Sequence, residues 1–126
     1  MQPQSMFLDY VVKKIKSLAI FDNVSIGQLQ IENCLSIEVV AGFEEKYLNK
    51  KAKHTITILF LHKHINQLKA YDLLCCLENY LAKLCHIITP NFELINVEIN
   101  GSSQYVDKQD DGKYIYSLTT NFNIYF

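Results

Sequence analysis

Apolar residues at helical spacing indicate a first helix near the start of the chain. Its apolar positions are Leu8, Val11, Ile15 and Leu18. Ser5 precedes them and can act as an N-cap, so we predict a helix over residues 5–19. Charged residues fall on its other faces, which predicts that one face of this helix packs against the rest of the protein.

A longer apolar stripe indicates a second helix. Its positions, three or four residues apart, are Ala70, Leu74, Leu77, Leu81, Leu84 and Ile88. Asn66 is a suitable N-cap before the stripe, and Pro90 ends it because proline cannot continue a helix. We therefore predict a helix that begins after Asn66 and runs up to Pro90.

Three stretches of β-type pattern precede the end of the chain. Residues 35–39 alternate apolar and polar and are predicted to end as a strand at Gly42. Residues 54–62 are β-branched or aromatic at nearly every position, which favours a central strand. Residues 93–99 alternate again. The charged residues 43–53 between the first two strands predict an exposed loop or hairpin tip.

The final segment, Lys113 to Phe126, has the clearest alternation. One face carries Tyr114, Tyr116, Leu118, Phe122, Ile124 and Phe126. The other face carries Ser117, Thr119, Asn121 and Asn123. The preceding Asp-Asp-Gly sequence is a strong turn signal. We predict that the aromatic face packs against the helices and that the polar face is open to water or to a neighbouring molecule.

These elements predict the fold class. The expected order is helix, strand, strand, helix, strand, strand, with connections mostly too short for parallel crossovers. We therefore expect one domain over residues 1–126 of the α+β class. It should contain an antiparallel or mixed sheet of about four to five strands with two main helices packed on it.

Composition and charge narrow the range of partners. The net charge is −1, and the 12 basic residues are all lysine. Arginine supplies the bidentate contacts that specific phosphate and guanine recognition favours, so we expect no specific nucleic acid binding. The chain has no apolar run of bilayer length and no secretory signal pattern, which predicts a cytosolic protein without a membrane partner.

Two combinations of histidine and cysteine are candidate sites of chemistry. His62 and His64 would point to one face of a strand and could chelate a metal together with Cys85 and His86. Their spacing matches no zinc pattern, so ordinary solvated histidines are favoured and no metal is expected. Cys76 is ten residues from His86, too far for the imidazole to activate the thiol within one helix. Reduced structural thiols are therefore expected.

Acidic pairs and glycines add no further site. The pairs Glu44–Glu45 and Asp110–Asp111 have no accompanying nucleophile, and the four glycines are isolated from one another. We therefore expect no catalytic residue, no cofactor and no enzymatic activity.

Two segments have a distinctive order of elements. One is EEKYLNKKAKHTITILFLHKHINQLKAYDLLCCLENYLAKL, with a tyrosine-containing loop, an apolar strand and a long helix. The other is the ending DGKYIYSLTTNFNIYF, an acidic turn followed by alternating aromatic residues. Together they resemble the minor capsid or tail-completion proteins of tailed bacteriophages and prophages. The resemblance covers about residues 35–126 and implies a tail-terminator-like fold.

The resemblance also implies a function in the head–tail neck. Members of this family are tail terminators, so we expect copies to form a ring, a homohexamer, that caps the tail tube protein and meets the head-completion or connector protein. The expected locations are the host cytoplasm during assembly and then the virion neck or tail. The alternative is a small host α+β binding or adaptor module that holds a peptide or small ligand.

Two sets of residues are predicted to form the interfaces of such a ring. One set is Phe43, Glu44, Glu45, Tyr47, Leu48, Lys50 and Lys51 of the charged loop. The other set is Ser117, Thr119, Asn121 and Asn123 on the polar face of the final strand.

Overall fold

The chain forms two helices and seven strands within the residues that the computed structural model describes, 2–27, 29, 32–46 and 52–126. They follow the order α1 (Pro3–Leu18), β1 (Val24–Ile26), β2 (Cys34–Lys46), β3 (Ala52–His64), α2 (Gln67–Ala82), β4 (Cys85–Ile88), β5 (Glu93–Ile99), β6 (Gln104–Lys108) and β7 (Tyr114–Tyr125). The predicted α+β class is confirmed. The predicted count of four to five strands is too low, because β1, β4 and β6 are too short to show an alternating pattern.

All seven strands belong to one mixed sheet with the C-terminal strand in its interior. The order is β1-β2-β3-β7-β5-β4, with β6 also paired to β7. The β1–β2 pair is parallel and the other pairs are antiparallel. Strand β3 pairs along one side of β7. The other side of β7 is shared by β6, over residues 114–117, and β5, over residues 120–125.

Both helices cover the same face of this sheet. Phe7 of α1 and Leu74 of α2 belong to one buried cluster with Ile58, Phe60 and Phe122 of the sheet. On β7 the even-numbered positions face the helices, as the alternation predicted. Thr120 is the one polar residue in this row, and its hydroxyl donates to the Ile58 carbonyl oxygen at 3.3 Å. That hydrogen bond allows a polar side chain in an apolar core.

Helix α1 starts earlier than predicted. Gln2 is the N-cap residue and makes no side-chain capping bond, while Pro3 occupies the first helical turn. Proline is favourable there because the missing N–H would have no partner inside the helix. The predicted capping role of Ser5 is therefore wrong. The helix ends at Leu18, and its C-cap residue Ala19 has a left-handed φ of 55° and donates its N–H to the Lys16 carbonyl oxygen at 3.2 Å.

Helix α2 starts as predicted and ends earlier. Asn66 Oδ1 accepts a hydrogen bond from the Lys69 N–H at 3.1 Å, which confirms the N-cap. The helix stops at Ala82, and residues 85–88 form β4, paired to β5. The predicted stripe extended past the helix because Leu84 also packs against the core, whereas Ile88, its last predicted position, is 76% exposed on β4. None of the described helices is long and apolar enough to cross a membrane.

Replacing Asn66 by alanine is expected to lower the free energy of unfolding by about 1 kcal/mol. The change removes the acceptor for the Lys69 N–H and leaves that amide without its cap. Urea denaturation of Asn66→Ala beside Asn66→Asp, which keeps an acceptor, would measure the effect. Equal losses in both variants would show that the cap contributes nothing.

Bulges alter the predicted faces of two strands. The predicted end of strand β2 at Gly42 is wrong, because β2 continues to Lys46. A register shift between Val39 and Ala41 interrupts the alternation while the strand stays paired with β3. In β5 a similar shift lies between Leu94 and Asn96. As a result Leu94 and Val97, which have opposite parity, are both buried. A bulge changes the face to which the following side chains point, so a simple alternation no longer predicts which of them are buried.

Candidate interaction surfaces

The residues predicted from the charged loop lie in or beyond the β2–β3 hairpin. Phe43, Glu44 and Glu45 are part of β2, and their backbones pair with residues 53–55 of β3. The loop is thus shorter than the predicted 43–53. Tyr47, Leu48, Lys50 and Lys51 lie outside the described residues. The interface role of this hairpin stays a prediction.

The polar side of β7 faces away from both helices. Ser117, Thr119 and Asn121 are half-buried there, as the alternation predicts for a side without a helix layer. Asn123 is different, because only 4% of its surface is exposed. The expectation that all four residues are open to solvent is therefore wrong for Asn123.

Asn123 is the centre of a hydrogen-bonded network that joins three strands. Its Oδ1 accepts from the Thr55 hydroxyl at 2.8 Å, on β3. Its Nδ2 donates to Asn96 Oδ1 at 2.6 Å and to Glu98 Oε1 at 3.1 Å, both on β5. The amide thus uses both ends, and its burial is compensated by these bonds. Asn123 therefore links β7 to both β3 and β5. Sequence alternation alone does not distinguish it from the half-buried residues on the same side of β7.

Asn121 repeats the arrangement in a more open setting. Its Oδ1 accepts from the Thr57 hydroxyl at 2.6 Å, and its Nδ2 donates to Asn100 Oδ1 at 3.3 Å. The second bond is exposed to solvent. Asn121 therefore lies where a partner could replace the exposed hydrogen bond to Asn100 with its own.

An apolar groove of about 500 Å³ lies between α1 and strands β2 and β3. The lining residues are Gln4, Ser5, Phe7, Leu8, Val39, Gly42, His54, Thr55, Ile56 and Ile58. Val39 at this groove is 47% exposed although it lies in a strand. The groove combines an apolar lining with few polar groups, as ligand pockets often do. It is formed by segments distant in sequence, so no local pattern marks it.

Three tyrosines form a partly exposed cluster beside the start of α2. The Tyr116 ring lies 5.4 Å from that of Tyr71 and 5.5 Å from that of Tyr105, measured between centroids. Tyr71 is 44% exposed, and Leu68, one turn earlier on α2, is 75% exposed. A hydrogen bond with the Cys75 thiol raises the pKa of Tyr71. Exposed tyrosines are enriched at protein interfaces, so this cluster is a third candidate surface.

The two histidines lie on one face of β3 as expected, but the expectation that they are solvated is wrong, because both are buried. The His62 and His64 rings have centroids 5.9 Å apart. Cys85 and His86 are on β4, which is separated from β3 by two strands and hence by about 14 Å. They cannot complete a metal site with this pair. In the described part of the chain, no three His, Cys, Asp or Glu side chains come together as metal ligands.

Cys76 and His86 do not share a helix. Cys76 lies on α2 and is exposed, whereas His86 lies on β4 with a φ of 51°. The distance inferred from helical spacing is therefore wrong, since the helix ends before His86. No disulfide joins cysteines in the described ranges.

Comparison with known proteins shows a likeness in fold to a virion protein. No family model matches the sequence, and no curated protein matches it significantly. A chain in the virion of a native gene transfer agent particle has a similar fold, with a TM-score of 0.60 and 8% sequence identity. The match covers 82% of this chain and 78% of that one. At this identity the likeness establishes a shared fold.

Proposed function

We propose that this protein is a structural component of a phage-like virion, and within it a tail-terminator or tail-completion subunit of the head–tail neck. The observation that carries the proposal is the fold shared with a chain of a gene transfer agent virion over about four-fifths of each chain. The resemblance of residues 35–126 to tail-completion proteins supports the narrower role. The proposed partners are further copies of itself, the tail tube protein and the head connector.

The proposed mechanism is assembly without catalysis. The two outer edges of the sheet differ, with β1 and β2 at one edge and β4 at the other. A contact between unlike surfaces of successive copies closes into a ring when the rotation between them permits it. Among the described residues, β1 pairs with β2 only over residues 35–37, so no strand covers the rest of that edge. Such an edge favours pairing with another chain.

The polar side of β7 contributes a second proposed surface. The half-buried residues on this side, Ser117, Thr119 and Asn121, remain candidates for contact with a neighbour. The hydrogen bond from Asn121 to Asn100 is exposed to solvent. Asn123 has a structural role in the network and is a poor position for testing assembly.

Light scattering and negative-stain electron microscopy of the purified protein would test the ring. The proposal predicts a hollow particle, expected to be a hexamer, and binding to tail tubes. Monomers at every concentration, together with no binding to tail tubes, would contradict it.

Lysine at Thr119 or Asn121 is expected to reduce ring formation while leaving the fold intact. Each position tolerates a long side chain because it is half-buried and faces away from the helices, whereas a charge buried in an interface is unfavourable. The measurement is oligomer mass by light scattering, with circular dichroism to verify folding.

The matched control for these variants is Ser17→Lys, on an exposed position of α1. It should leave the oligomer unchanged. If Thr119→Lys and Asn121→Lys also leave oligomer size and tail binding unchanged, the interface does not include this face, and the β2–β3 hairpin becomes the position to test.

The groove beside α1 favours one alternative, a small host module that binds a peptide or small ligand. Its apolar lining and volume of about 500 Å³ are suited to a ligand side chain. The two functions predict different genomic positions. A reading frame between capsid and tail genes would exclude the host module, and a frame among metabolic or regulatory genes would exclude the neck subunit.

A further inference from the structure

His62 is buried where β3 meets the first turn of α2. It is 1% exposed, and its Nδ1 lies 2.9 Å from the Ala70 carbonyl oxygen. Because a carbonyl only accepts hydrogen bonds, Nδ1 carries the hydrogen and the imidazole can be neutral. The ring of Phe21, from the segment between α1 and β1, packs edge-on with its centroid 4.9 Å away. His62 thus connects the sheet with α2 and with the segment after α1.

His64 makes the opposite kind of contact. Its Nδ1 lies 3.0 Å from the Asn66 backbone nitrogen, which donates. This nitrogen must therefore be unprotonated. A protonated imidazole carries a hydrogen on both nitrogens, so protonation of His64 removes this bond. Only 9% of the His64 surface is exposed, which limits the water that could replace the lost partner.

Asn33, in the segment before β2, forms hydrogen bonds at the junction between β3 and α2. Asn33 Oδ1 accepts from the Ile65 backbone N–H at 3.0 Å, in the turn between β3 and α2. Asn33 Nδ2 lies 3.4 Å from Asp22 Oδ2, in the segment between α1 and β1. Three connecting segments therefore meet around the two histidines.

The charged groups around the two histidines have opposing effects on their protonation. Asp22 favours protonation of both imidazoles, whereas Lys69 of α2 disfavours it for His64 and His64 disfavours it for His62. Burial is the largest effect and lowers the pKa of both histidines below the ordinary value of 6.5.

Three other side chains near the pair can also titrate or carry charge. Lys63, between the two histidines, points to the other face of the sheet and pairs with Asp111 at 2.9 Å. On the neighbouring strand β7, Tyr116 is the cross-strand partner of His62, and Tyr114 is that of His64.

We propose that the His62–His64 pair is an acid-sensitive joint that releases the start of α2 and the segment after α1 from the end of the sheet. Protonation of His64 displaces the Asn66 N–H, and protonation of His62 places a charge in the core beside Phe21. The remainder of the sheet stays folded because its core contacts lie along β3 and β7. The joint is independent of the proposed virion function.

The direction of the pH effect follows from the lowered pKa values. Between the folded-state pKa and 6.5 the unfolded junction binds more protons than the folded one. The histidine contribution to stability is therefore complete above pH 6.5 and decreases as the pH falls below that value. Local opening should begin in this range.

Hydrogen exchange followed by mass spectrometry between about pH 8 and about pH 5 tests the joint. After correction for intrinsic rates, exchange at residues 65–70 and 21–24 should accelerate progressively as the pH falls below 6.5. Exchange in β3 and β7 at residues 56–60 and 118–124 should stay unchanged. In His64→Asn the amide oxygen can still accept from the Asn66 N–H but takes up no proton, so the acceleration at residues 65–70 should be largely lost.

Two results would overturn the proposal. One is an unchanged exchange rate at residues 65–70 in the wild-type protein across this range. The other is an equal acceleration in His64→Asn. Should that variant fail to fold, nuclear magnetic resonance of the wild type supplies the test. The Asn66 amide and the His64 ring protons should titrate together with a midpoint below 6.5, and a midpoint at or above 6.5 would contradict the joint.

Discussion

Replacement of Phe7 by alanine is expected to lower the free energy of unfolding by about 3–5 kcal/mol, the largest single effect that this structure predicts. Phe7 is fully buried and holds α1 on the sheet. Its ring lies 5.3 Å from Phe92 and 5.3 Å from Phe122, in edge-on contacts. Truncation removes both aromatic contacts and leaves a cavity that the surrounding strands cannot fill.

Urea denaturation measures this loss, and hydrogen exchange in α1 shows whether the helix separates before the sheet unfolds. Tyr105→Ala is the matched control, because it also removes an aromatic ring but from a residue that is 53% exposed. It should change stability by less than about 1 kcal/mol. Similar losses in the two variants would contradict the packing of α1 through Phe7.

Replacement of Asn123 by aspartate is expected to lower the free energy of unfolding by about 3 kcal/mol at neutral pH, although the side chain hardly changes in size. The carboxylate cannot donate to Asn96 Oδ1 or Glu98 Oε1, the two acceptors that Asn123 Nδ2 contacts. It also places a second negative charge beside Glu98 in a position that is 4% exposed. Both effects destabilise the folded state.

The pH dependence distinguishes this mechanism from a general packing defect. Burial and the nearby Glu98 raise the pKa of the introduced aspartate in the folded state, so the folded state binds the extra proton first as the pH falls. The stability difference from wild type should therefore shrink below about pH 5. Asn121→Asp is the control, since its donor bond to Asn100 is exposed and its loss should be below about 1 kcal/mol. Equal losses at the two positions would contradict a structural role for Asn123.

The alternation of β7 predicts which face of the strand is buried but not how the polar residues on the other face differ. It correctly assigned Leu118, Phe122 and Ile124 to the core, because a strand directs alternate side chains to opposite faces and one face here is covered by helices. The same alternation treated Asn121 and Asn123 as equivalent. Their difference comes from β5, whose bulge brings Asn96 and Glu98 against Asn123. No local pattern carries that information.

The sequence indicates some of the candidate surfaces, whereas others depend on the tertiary structure. Ser117, Thr119 and Asn121 could be proposed from the sequence because they lie on the polar side of one strand. The groove beside α1 and the tyrosine cluster could not, since each combines residues from three elements. The histidine pair is intermediate, because its shared face followed from spacing, whereas its burial and its contacts with Asn66 and Ala70 depend on α2.

The sequence by itself determined the α+β class, the start of α2 at its Asn66 cap and the two faces of β7, because capping and periodicity act over a few neighbouring residues. Tertiary structure decided that β7, the last strand, lies inside the sheet between β3 on one side and β5 and β6 on the other. It also decided that Asn123 is buried. Strand order and burial depend on contacts between distant segments, which release free energy only when the whole sheet has formed.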